Sequence, residues 1–433
     1  MSRVPCHSAP RQRQPHNLMS TPHFHELAVK RVSPEAAGAL AITLAVPPNL
    51  RNTFDFKPGQ FLTLRAAIGG ESVRRSYSIC SSQQQFAKHG EIEVGVKPVA
   101  GGVFSNWAVT LQAGDTLDVM PPEGRFTPRP ATAQSSPLTP STPRTPSPPG
   151  TPRTAGHAPQ DAQLQGKASR EPLNLASVHR VAFAAGSGIT PVLSIIASTL
   201  QAEPKSRFTL VYSNQKVSTI MFNEALQDLK DTYPARLTLI HVLSRQAQDV
   251  ALLGGRLDAA KVAELLKALL PVQHIDEAFV CGPEGMIDAT EQALLAAGLA
   301  KEHIHTERFF SPGAADVTRQ NTSNLIARYT QRTRATALND AVFSLQVVLD
   351  GKTHAMTMGA QDKVLDVALA AGLDLPYACR GGVCCTCRAR VLQGQVAMAK
   401  NFTLEQWEMD KGFVLTCQAR PLTADVAVSF DER

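Results

Sequence analysis

The chain has 433 residues, with 43 Lys and Arg against 37 Asp and Glu and a net charge of +6. This length allows about three domains of ordinary size, and no apolar run reaches the roughly 18–20 residues that a bilayer-spanning helix needs. The basic excess lies in the first 25 residues and in residues 127–170 rather than on a folded face, so the sequence predicts neither a membrane-spanning nor a nucleic-acid-binding protein.

The first two segments differ sharply in pattern. Residues 1–21 contain Arg but no acid and lack the apolar stretch of a secretory signal, so we expect a disordered extension, with a weak targeting segment as the alternative. Residues 22–126 alternate short β-like runs with Gly and Pro turns, at 25–32, 39–46, 59–67, 74–81, 91–99 and 115–126. Many short strands with little helical pattern predict a small antiparallel β-barrel.

The rest of the chain divides into four segments. Residues 127–174 repeat Thr-Pro and Ser-Pro with few large apolar side chains, which predicts a disordered insert. Residues 175–310 alternate strand-like runs (179–186, 207–214, 236–244, 277–282) with helix-like runs (191–201, 221–231, 259–270, 284–298), which predicts an α/β domain with a parallel sheet. We expect a linker at 311–340 and a small β-rich domain at 341–433.

The stretch RRSYSIC sets Arg75 and Tyr77 two positions apart on a predicted strand, so their side chains face the same side. There the Arg can hold a pyrophosphate and the Tyr can stack on a ring; a packed pair with a solvated charge is the alternative. In GGVFSNWA, Gly101 and Gly102 free backbone amides for a phosphate ahead of a helix that starts near Ser105. Ser105 also suits a plain N-cap.

In the predicted α/β domain, Gly186 and Gly188 follow a strand and directly precede a helix. Thr190 is the predicted N-cap and Pro191 the first helical residue, so the helix amides would face a diphosphate. The third glycine of the dinucleotide fingerprint is absent. Further on, Cys281 lies near the end of a predicted strand. It is either a buried structural thiol or a residue of the functional site.

Four cysteines near the C-terminus follow the spacing Cys379-x4-Cys384-x2-Cys387, with Cys417 after 29 further residues. This is the plant-type spacing of a 2Fe-2S cluster, and Gly381 and Gly382 would let the loop take positive φ so that amides point at the sulfur atoms. A zinc site is the alternative, although zinc sites usually pair two short cysteine hooks. Only Cys384 satisfies both the four-residue gap after Cys379 and the two-residue gap before Cys387. The adjacent Cys385 is therefore predicted to be a core thiol and not a ligand.

Together these motifs resemble the ferredoxin–NADP reductase superfamily over residues 22–126 and 175–310. The resemblance implies that Arg75 binds the FAD pyrophosphate, that Tyr77 and Ser78 contact the isoalloxazine, and that residues 102–105 bind phosphate. It also implies that the CGP turn lies beside the nicotinamide and that the segment HTERFF covers the flavin, an ordinary C-terminal strand being the alternative there.

The site residues thus expected fall into four groups. For FAD they are Arg75, Ser76, Tyr77, Ser78, Gly101, Gly102, Val103, Phe104 and Ser105; for NADPH they are Gly186, Gly188, Thr190, Pro191, Ser244, Arg245, Gly282 and Pro283. Nearest the reaction we expect Tyr77, Ser78, Cys281, Glu307 and Phe309, and as ligands of the cluster Cys379, Cys384, Cys387 and Cys417.

The residues after the second and third strands of the α/β domain favour NADPH over NADH. An acid that accepts the ribose hydroxyls is usual in NAD-specific sites, whereas this chain has Asn214, Gln215 and Lys216. Ser244 and Arg245 are similar to the Ser-Arg pair that holds the 2′-phosphate in NADP-type reductases, with a solvated Arg as the alternative. Gln215 and Lys216 stand where an Arg is common in this group.

The order of the three modules resembles the oxygenase reductases, and in particular the reductase subunits of phenylacetyl-CoA epoxidases. The resemblance covers nearly everything except residues 1–18 and 127–172, and it implies a β-grasp ferredoxin domain at the C-terminus. It further implies a cytoplasmic protein with FAD, a 2Fe-2S cluster and NADPH, whose partner is a di-iron oxygenase component. The alternatives are the reductase of a phenol, alkane or other aromatic hydroxylase, and a non-catalytic iron–sulfur or zinc interaction protein.

Overall fold

The computed structural model describes residues 23–131, 177–309 and 342–432. The predicted N-terminal extension, the predicted insert beyond residue 131 and the predicted linker lie outside these residues. The described residues form three domains, which follow one another in chain order and confirm the predicted fold classes.

The first domain is an antiparallel β-barrel whose strands fall where apolar and polar residues alternate. Its elements are β1 (His25–Pro34), β2 (Leu40–Ala45), β3 (Phe61–Ile68), β4 (Glu71–Ser78), α1 (Gln83–His89), β5 (Glu91–Val96), α2 (Val103–Trp107) and β6 (Thr116–Val119). The strand order is β4-β3-β6-β1-β2-β5. An antiparallel bridge between Ile79 and Val94 joins the two ends of this sheet and closes it.

The second domain is a parallel α/β sandwich. Its elements are β7 (His179–Ala185), α3 (Ile189–Ala202), β8 (Arg207–Asn214), α4 (Asn223–Thr232), β9 (Leu237–Leu243), α5 (Ala259–Ala268), β10 (Glu277–Gly282), α6 (Glu284–Ala296) and β11 (Ile304–Arg308). The strand order is β11-β10-β7-β8-β9, and all pairs are parallel. Nearly every residue of β7 and β8 is buried, because helices cover both faces of the sheet. In the described ranges, no helix has the length and apolarity to cross a membrane.

The third domain has the β-grasp architecture of plant-type ferredoxins. Its elements are β12 (Val342–Leu349), β13 (Lys352–Gly359), α7 (Val364–Ala370), β14 (Arg388–Gln393), β15 (Val396–Met398), α8 (Gln406–Asp410), β16 (Phe413–Leu415), β17 (Ala419–Pro421) and β18 (Asp425–Ser429). The main sheet has the order β13-β12-β18-β14-β16, and β15 pairs with β17. Cys387 and Cys417 belong to its buried core, together with apolar side chains of β12, α7 and β18.

The first two domains share one hydrophobic core. Ala39, Ala41 and Phe126 of the barrel pack in the same buried cluster as the apolar side chains of α3 and β8. Gly95 has no room for a side chain there, since a Cβ would lie 2.5 Å from the Cγ2 of Thr190. Burial of this kind fixes the orientation of the two domains.

Buried charges tie the end of the barrel segment to the second domain. The guanidinium of Arg180 is fully buried and pairs with Glu277 at 2.8 Å and with Glu203 at 2.6 Å. Arg129 pairs with Glu277 at 3.2 Å and Ala131 is buried, so the start of the predicted insert contacts the second domain. Each buried charge has an opposite partner, as burial requires.

Candidate functional site

A cavity opens where the three domains meet. Its volume is about 200 Å³. The side chains that form its walls are Phe61, Arg75, Ser76, Tyr77, Ser78, Lys97, Val99, Phe104 and Ser105 from the first domain, Ser187, Thr190, Glu307, Arg308 and Phe309 from the second, and Cys379, Val383 and Cys384 from the third.

Strand β4 supplies one wall of this cavity. The ring of Tyr77 lies 5.6 Å from that of Phe104, and burial raises the pKa of its phenol. Arg75 donates to the carbonyl of Arg74 at 2.7 Å, and none of the ion pairs found within the described ranges involves Arg75. A guanidinium without an ion-pair partner on the wall of a cavity suits an anionic group such as a pyrophosphate. Arg75 therefore fits the pyrophosphate of FAD.

The glycine turn beside β4 differs in one detail from the expectation. Gly101 has a φ of 72°, and the short helix α2 begins at Val103 with Gly102 as its N-cap. The helix therefore starts two residues before the predicted position, and the alternative that Ser105 is its N-cap is wrong. Ser105 is buried, and its hydroxyl accepts a hydrogen bond from the amide of Val99 at 3.3 Å, which closes the turn.

The glycine turn of the second domain also begins its helix earlier than predicted. Residues 186–188 already form a 3-10 turn that continues into α3 at Ile189. Thr190 therefore lies inside the first turn, and its hydroxyl donates to the carbonyl of Ser187 at 3.0 Å. The predictions of Thr190 as the N-cap and of Pro191 as the first helical residue are wrong, because the helical conformation already starts within the Gly-Ser-Gly turn.

The two glycine motifs of this domain touch each other. A Cβ on Gly188 would come within 2.2 Å of the carbonyl oxygen of Cys281, and one on Gly282 within 3.1 Å of the Cβ of Ala185. Pro283 is the N-cap residue of α6. The close approach requires glycine at position 188 and brings the GSG and CGP turns together at the carboxyl edge of the sheet.

The side chains of Ser78 and Cys281, from two domains, both approach the carboxyl of Glu307. The hydroxyl of Ser78 donates to Oε2 of Glu307 at 3.1 Å, and the thiol of Cys281 lies 3.9 Å from the same oxygen. Burial raises the pKa of the Glu307 carboxyl to about 8 and the pKa of the Cys281 thiol well above its ordinary value. At neutral pH Glu307 thus presents a protonated carboxyl at the cavity wall. Phe309 follows on the same edge with 39% of its surface exposed.

Ser244 and Arg245 lie apart from this cavity, at the carboxyl end of β9. Their amides donate to the carbonyls of Asn214 and Gln215, each at 2.9 Å. The side chains of Arg245 and Lys216 are exposed on this edge. Two cations at the carboxyl ends of neighbouring parallel strands suit a phosphate group on a bound nucleotide.

The four predicted ligand cysteines converge at the edge of the third domain. The thiol of Cys379 is within hydrogen-bonding reach of those of Cys384 and Cys417, and the thiol of Cys417 is within reach of that of Cys387. The amide of Gly381 donates to the sulfur of Cys379 at 3.3 Å. Converging thiols with an amide donor suit an iron–sulfur cluster.

The cysteine loop takes positive φ at Gly382, as predicted, but not at Gly381. Gly382 has a φ of 79° and would meet the carbonyl oxygen of Lys400 at 3.0 Å if it carried a Cβ. Gly381 has no positive φ; Arg380 takes that conformation instead, with a φ of 52°. Cys385 points elsewhere, since its sulfur accepts a hydrogen bond from Thr403 at 2.9 Å.

Sequence reasoning missed several residues at the domain junctions. Lys97 lines the cavity outside every predicted motif, and Ser187 and Arg308 line it from the GSG turn and the HTERFF segment, where no role was predicted for them. Asp374 pairs with Arg74 across the barrel–ferredoxin boundary at 2.6 Å. The doubled arginine in RRSYSIC hinted at Arg74, but no local pattern indicated Asp374.

Models of three protein families match the chain. The oxidoreductase FAD-binding domain matches residues 30–127, the oxidoreductase NAD-binding domain residues 183–292, and the 2Fe-2S iron-sulfur cluster binding domain residues 347–422. Each match coincides with one of the three domains.

Two curated relatives match over nearly their full length. The chain is 42% identical to a subunit of the 1,2-phenylacetyl-CoA epoxidase of Escherichia coli, covering 95% of this chain and 98% of that protein. It is 32% identical to the ferredoxin reductase component of the 3-ketosteroid-9-alpha-monooxygenase of Rhodococcus rhodochrous, covering 93% and 96% respectively.

Among solved structures, an intact type IV self-sufficient cytochrome P450 monooxygenase superimposes with a TM-score of 0.57 and 19% identity. The match covers 96% of this chain but only 43% of that protein. This likeness concerns the fold alone.

Proposed function

The chain belongs to the family of oxygenase reductases that join FAD-binding, NAD-binding and 2Fe-2S domains, and on this basis we propose that it passes electrons from NADPH through FAD and a 2Fe-2S cluster to the di-iron oxygenase component of a phenylacetyl-CoA epoxidase. We expect it to do so in the cytoplasm. The proposal is supported above all by a cavity whose walls come from all three domains and include Cys379 and Cys384.

In this proposal the barrel residues hold the FAD. Arg75 would bind the pyrophosphate and Tyr77 the ring system, and the remaining contacts would come from Ser76, Ser78, Gly101, Gly102, Val103, Phe104 and Ser105. The chemistry that the flavin supplies when bound is the conversion of a two-electron hydride into single electrons, the form that an iron–sulfur cluster accepts.

The second domain would bind NADPH. The GSG turn (Gly186, Gly188) and the start of α3 (Thr190, Pro191) would receive the diphosphate, and Cys281, Gly282 and Pro283 would lie beside the nicotinamide. Arg245 and Ser244 would bind the 2′-phosphate, with Lys216 adding a second cation. This last contact is what favours NADPH over NADH.

Glu307 is proposed to keep the reaction site uncharged. Because its pKa is about 8, the carboxyl is neutral at physiological pH and is held in place by Ser78. Phe309 beside it would exclude water from the bound ring. A neutral acid at this wall opposes the arrival of negative charge less than a carboxylate would.

Cys379, Cys384, Cys387 and Cys417 would hold the cluster, and Cys385 would not. The cluster would lie against the flavin cavity because Cys379 and Cys384 form part of its wall. Iron and sulfide analysis together with the absorption spectrum tests this step. A purified protein without flavin bands and without the broad iron–sulfur absorption would support the non-catalytic alternative instead.

The choice of oxygenase rests on the 42% identity to the phenylacetyl-CoA epoxidase protein over nearly the whole of both chains. The experiment is a reconstitution of the purified chain with the oxygenase component of a phenylacetyl-CoA epoxidase, with NADPH, oxygen and phenylacetyl-CoA, in which the epoxide is detected by mass spectrometry. Controls use NADH in place of NADPH and the Cys384→Ser variant.

The second candidate is the reductase of another oxygenase, which the 32% identity to a steroid monooxygenase reductase supports. A preparation that reduces ferricyanide with NADPH but forms no epoxide with a competent oxygenase would favour it. The same reductase would then be assayed with the oxygenase component of the steroid monooxygenase.

A further inference from the structure

A 3-10 turn at the nucleotide edge of the second domain carries Lys216. The turn spans Val217–Thr219, and Lys216 is its N-cap residue. The amide of Lys216 donates to the hydroxyl of Thr219 at 3.2 Å, and this hydroxyl donates to the carbonyl of Lys216 at 2.8 Å. The first amide of the turn donates to Oε1 of Gln246, the neighbour of Arg245, at 3.0 Å. The turn therefore ties Lys216 to the loop that contains Arg245.

The other end of this turn enters the core that the first two domains share. Ile220, Met221 and Phe222 follow the turn directly, and all three are buried. They belong to the same hydrophobic cluster as Ala39 of the barrel. The position of Lys216 is therefore set by how this short segment is anchored in the core.

Phe222 itself has a backbone conformation that an aromatic residue rarely adopts. Its φ is 57° and its ψ is 30°, in the left-handed region where a side chain other than glycine is strained. Strained backbone of this kind persists only where the surrounding structure holds it. One such contact is steric, because a Cβ on Gly95 of the barrel would lie 3.1 Å from Cε2 of the Phe222 ring. The ring is thus packed against the barrel.

A carboxylate of the barrel holds the backbone at the same point. Glu35 directly follows β1, and its Oε2 accepts a hydrogen bond from the amide of Phe222 at 2.8 Å. A bond from an amide to a carboxylate is stronger than one between neutral groups. Because Phe222 is 3% exposed, removal of the carboxylate would leave a buried donor without this acceptor, which is costly. Glu35 therefore stabilises the strained conformation from outside the nucleotide domain.

We propose that Glu35 is a positioning residue for the nucleotide: through the backbone of Phe222 it fixes the turn that presents Lys216 to the 2′-phosphate of NADPH. Glu35 lies in the domain that binds the flavin, so the barrel also sets the choice of nucleotide in the neighbouring domain. This inference rests on the proposed function.

NADPH and NADH differ only in the 2′-phosphate, so a residue that acts through Lys216 affects the two nucleotides differently. In Glu35→Ala the amide of Phe222 loses its acceptor, the backbone leaves the strained conformation, and Lys216 no longer meets the phosphate. We expect KM for NADPH to rise about three- to tenfold, as for a weakened charge-assisted contact. KM for NADH, and kcat with either nucleotide, should not change.

The assay is steady-state reduction of ferricyanide by the FAD-loaded full chain, with NADPH or NADH as the donor. Glu35→Gln keeps an acceptor oxygen at the same position and should restore most of the affinity for NADPH. Glu26→Ala is the matched control, because Glu26 is exposed on β1 of the same domain, and it should keep both wild-type KM values. Should Glu35→Ala not fold, Glu35→Asp takes its place, since the shorter side chain withdraws the carboxylate from the amide.

A double-mutant cycle separates this path from a general loss of structure. Lys216→Ala should raise KM for NADPH by itself, and Glu35→Ala added to it should raise KM no further, because both changes remove the same contact. Hydrogen exchange gives a second readout in the full chain without nucleotide. The peptide that covers residues 214–222 should exchange faster in Glu35→Ala, whereas β7 should exchange as in the wild type.

Two results would overturn the proposal while the proposed function stands. They are an equal rise of KM for NADPH and NADH in Glu35→Ala, and additive effects of the two substitutions in the cycle. Either would mean that Glu35 acts on the fold as a whole. Failure of the proposed function looks different, because the wild type itself would then not distinguish NADPH from NADH and Lys216→Ala would alter neither KM.

Discussion

Substitution of Glu307 by Gln should remove a pH dependence from the reduction of the flavin by NADPH. The pKa of Glu307 is raised to about 8 by burial, so the carboxyl is neutral below this pH and ionised above it. The ionised form places a negative charge at the wall of a site that itself gains electrons, and we expect it to be nearly inactive.

The size of the effect follows from that pKa. For a single group with a pKa of 8, about 3% remains protonated at pH 9.5, so the rate should fall about 30-fold between pH 7 and pH 9.5. Glu307→Gln is neutral at every pH and keeps the shape of the side chain, so its profile should be flat over the same range. Ser78 can still donate to the amide oxygen of Gln.

The assay is stopped-flow absorbance of the flavin in the holoprotein, mixed with saturating NADPH from pH 6 to pH 10. Glu302→Gln is the matched control, because Glu302 is exposed just before the same strand, and this variant should keep the wild-type profile. An alkaline decline that persists in Glu307→Gln would refute the reasoning and assign the titration to another group.

Three further predictions concern the cluster, the nucleotide and the buried charges. Cys385→Ser should keep the iron content and the spectrum of the cluster, whereas Cys384→Ser should lose both; loss in Cys385→Ser would mean that the ligand register is wrong. Arg245→Gln should raise KM for NADPH about 10- to 100-fold, as expected for a lost charge-assisted hydrogen bond, and leave KM for NADH unchanged; an equal rise for both would argue against a 2′-phosphate site. The pKa of Glu277 is lowered to about 2, so its contribution to stability is complete above about pH 4.5 and is lost as the pH falls toward 2; urea titrations should show a weaker acid dependence over this range in Glu277→Gln than in the wild type.

The fold could be predicted from the sequence because its signals are local. Alternation of apolar residues in β1 and continuous apolar runs in β7 and β8 each reflect how many faces of a strand are covered. The spacing of the cysteines likewise depends on one loop and one turn. The predicted starts of the helices were less accurate. Thr190 and Ser105 have side chains typical of an N-cap, but each lies within a turn that is already helical.

The domain junctions could not be predicted, because they depend on which surfaces meet. Asp374 is an ordinary exposed acid in the sequence, and only the fold brings it to Arg74. The raised pKa of Glu307 has the same origin, since the burial that causes it comes from two domains. Residues of this kind carry no spacing that a pattern could detect.

The two boundaries differ because the two transfers make different demands. Hydride transfer needs the reacting atoms about 3–3.5 Å apart and aligned, so the barrel and the nicotinamide domain gain from a shared core that fixes their geometry. A single electron does not require such alignment, and the ferredoxin domain meets the barrel through ion pairs beside a small apolar contact. The same chain thus combines a shared core where the hydride is transferred with a polar boundary at the cluster domain, and the arginines of the barrel mark that boundary.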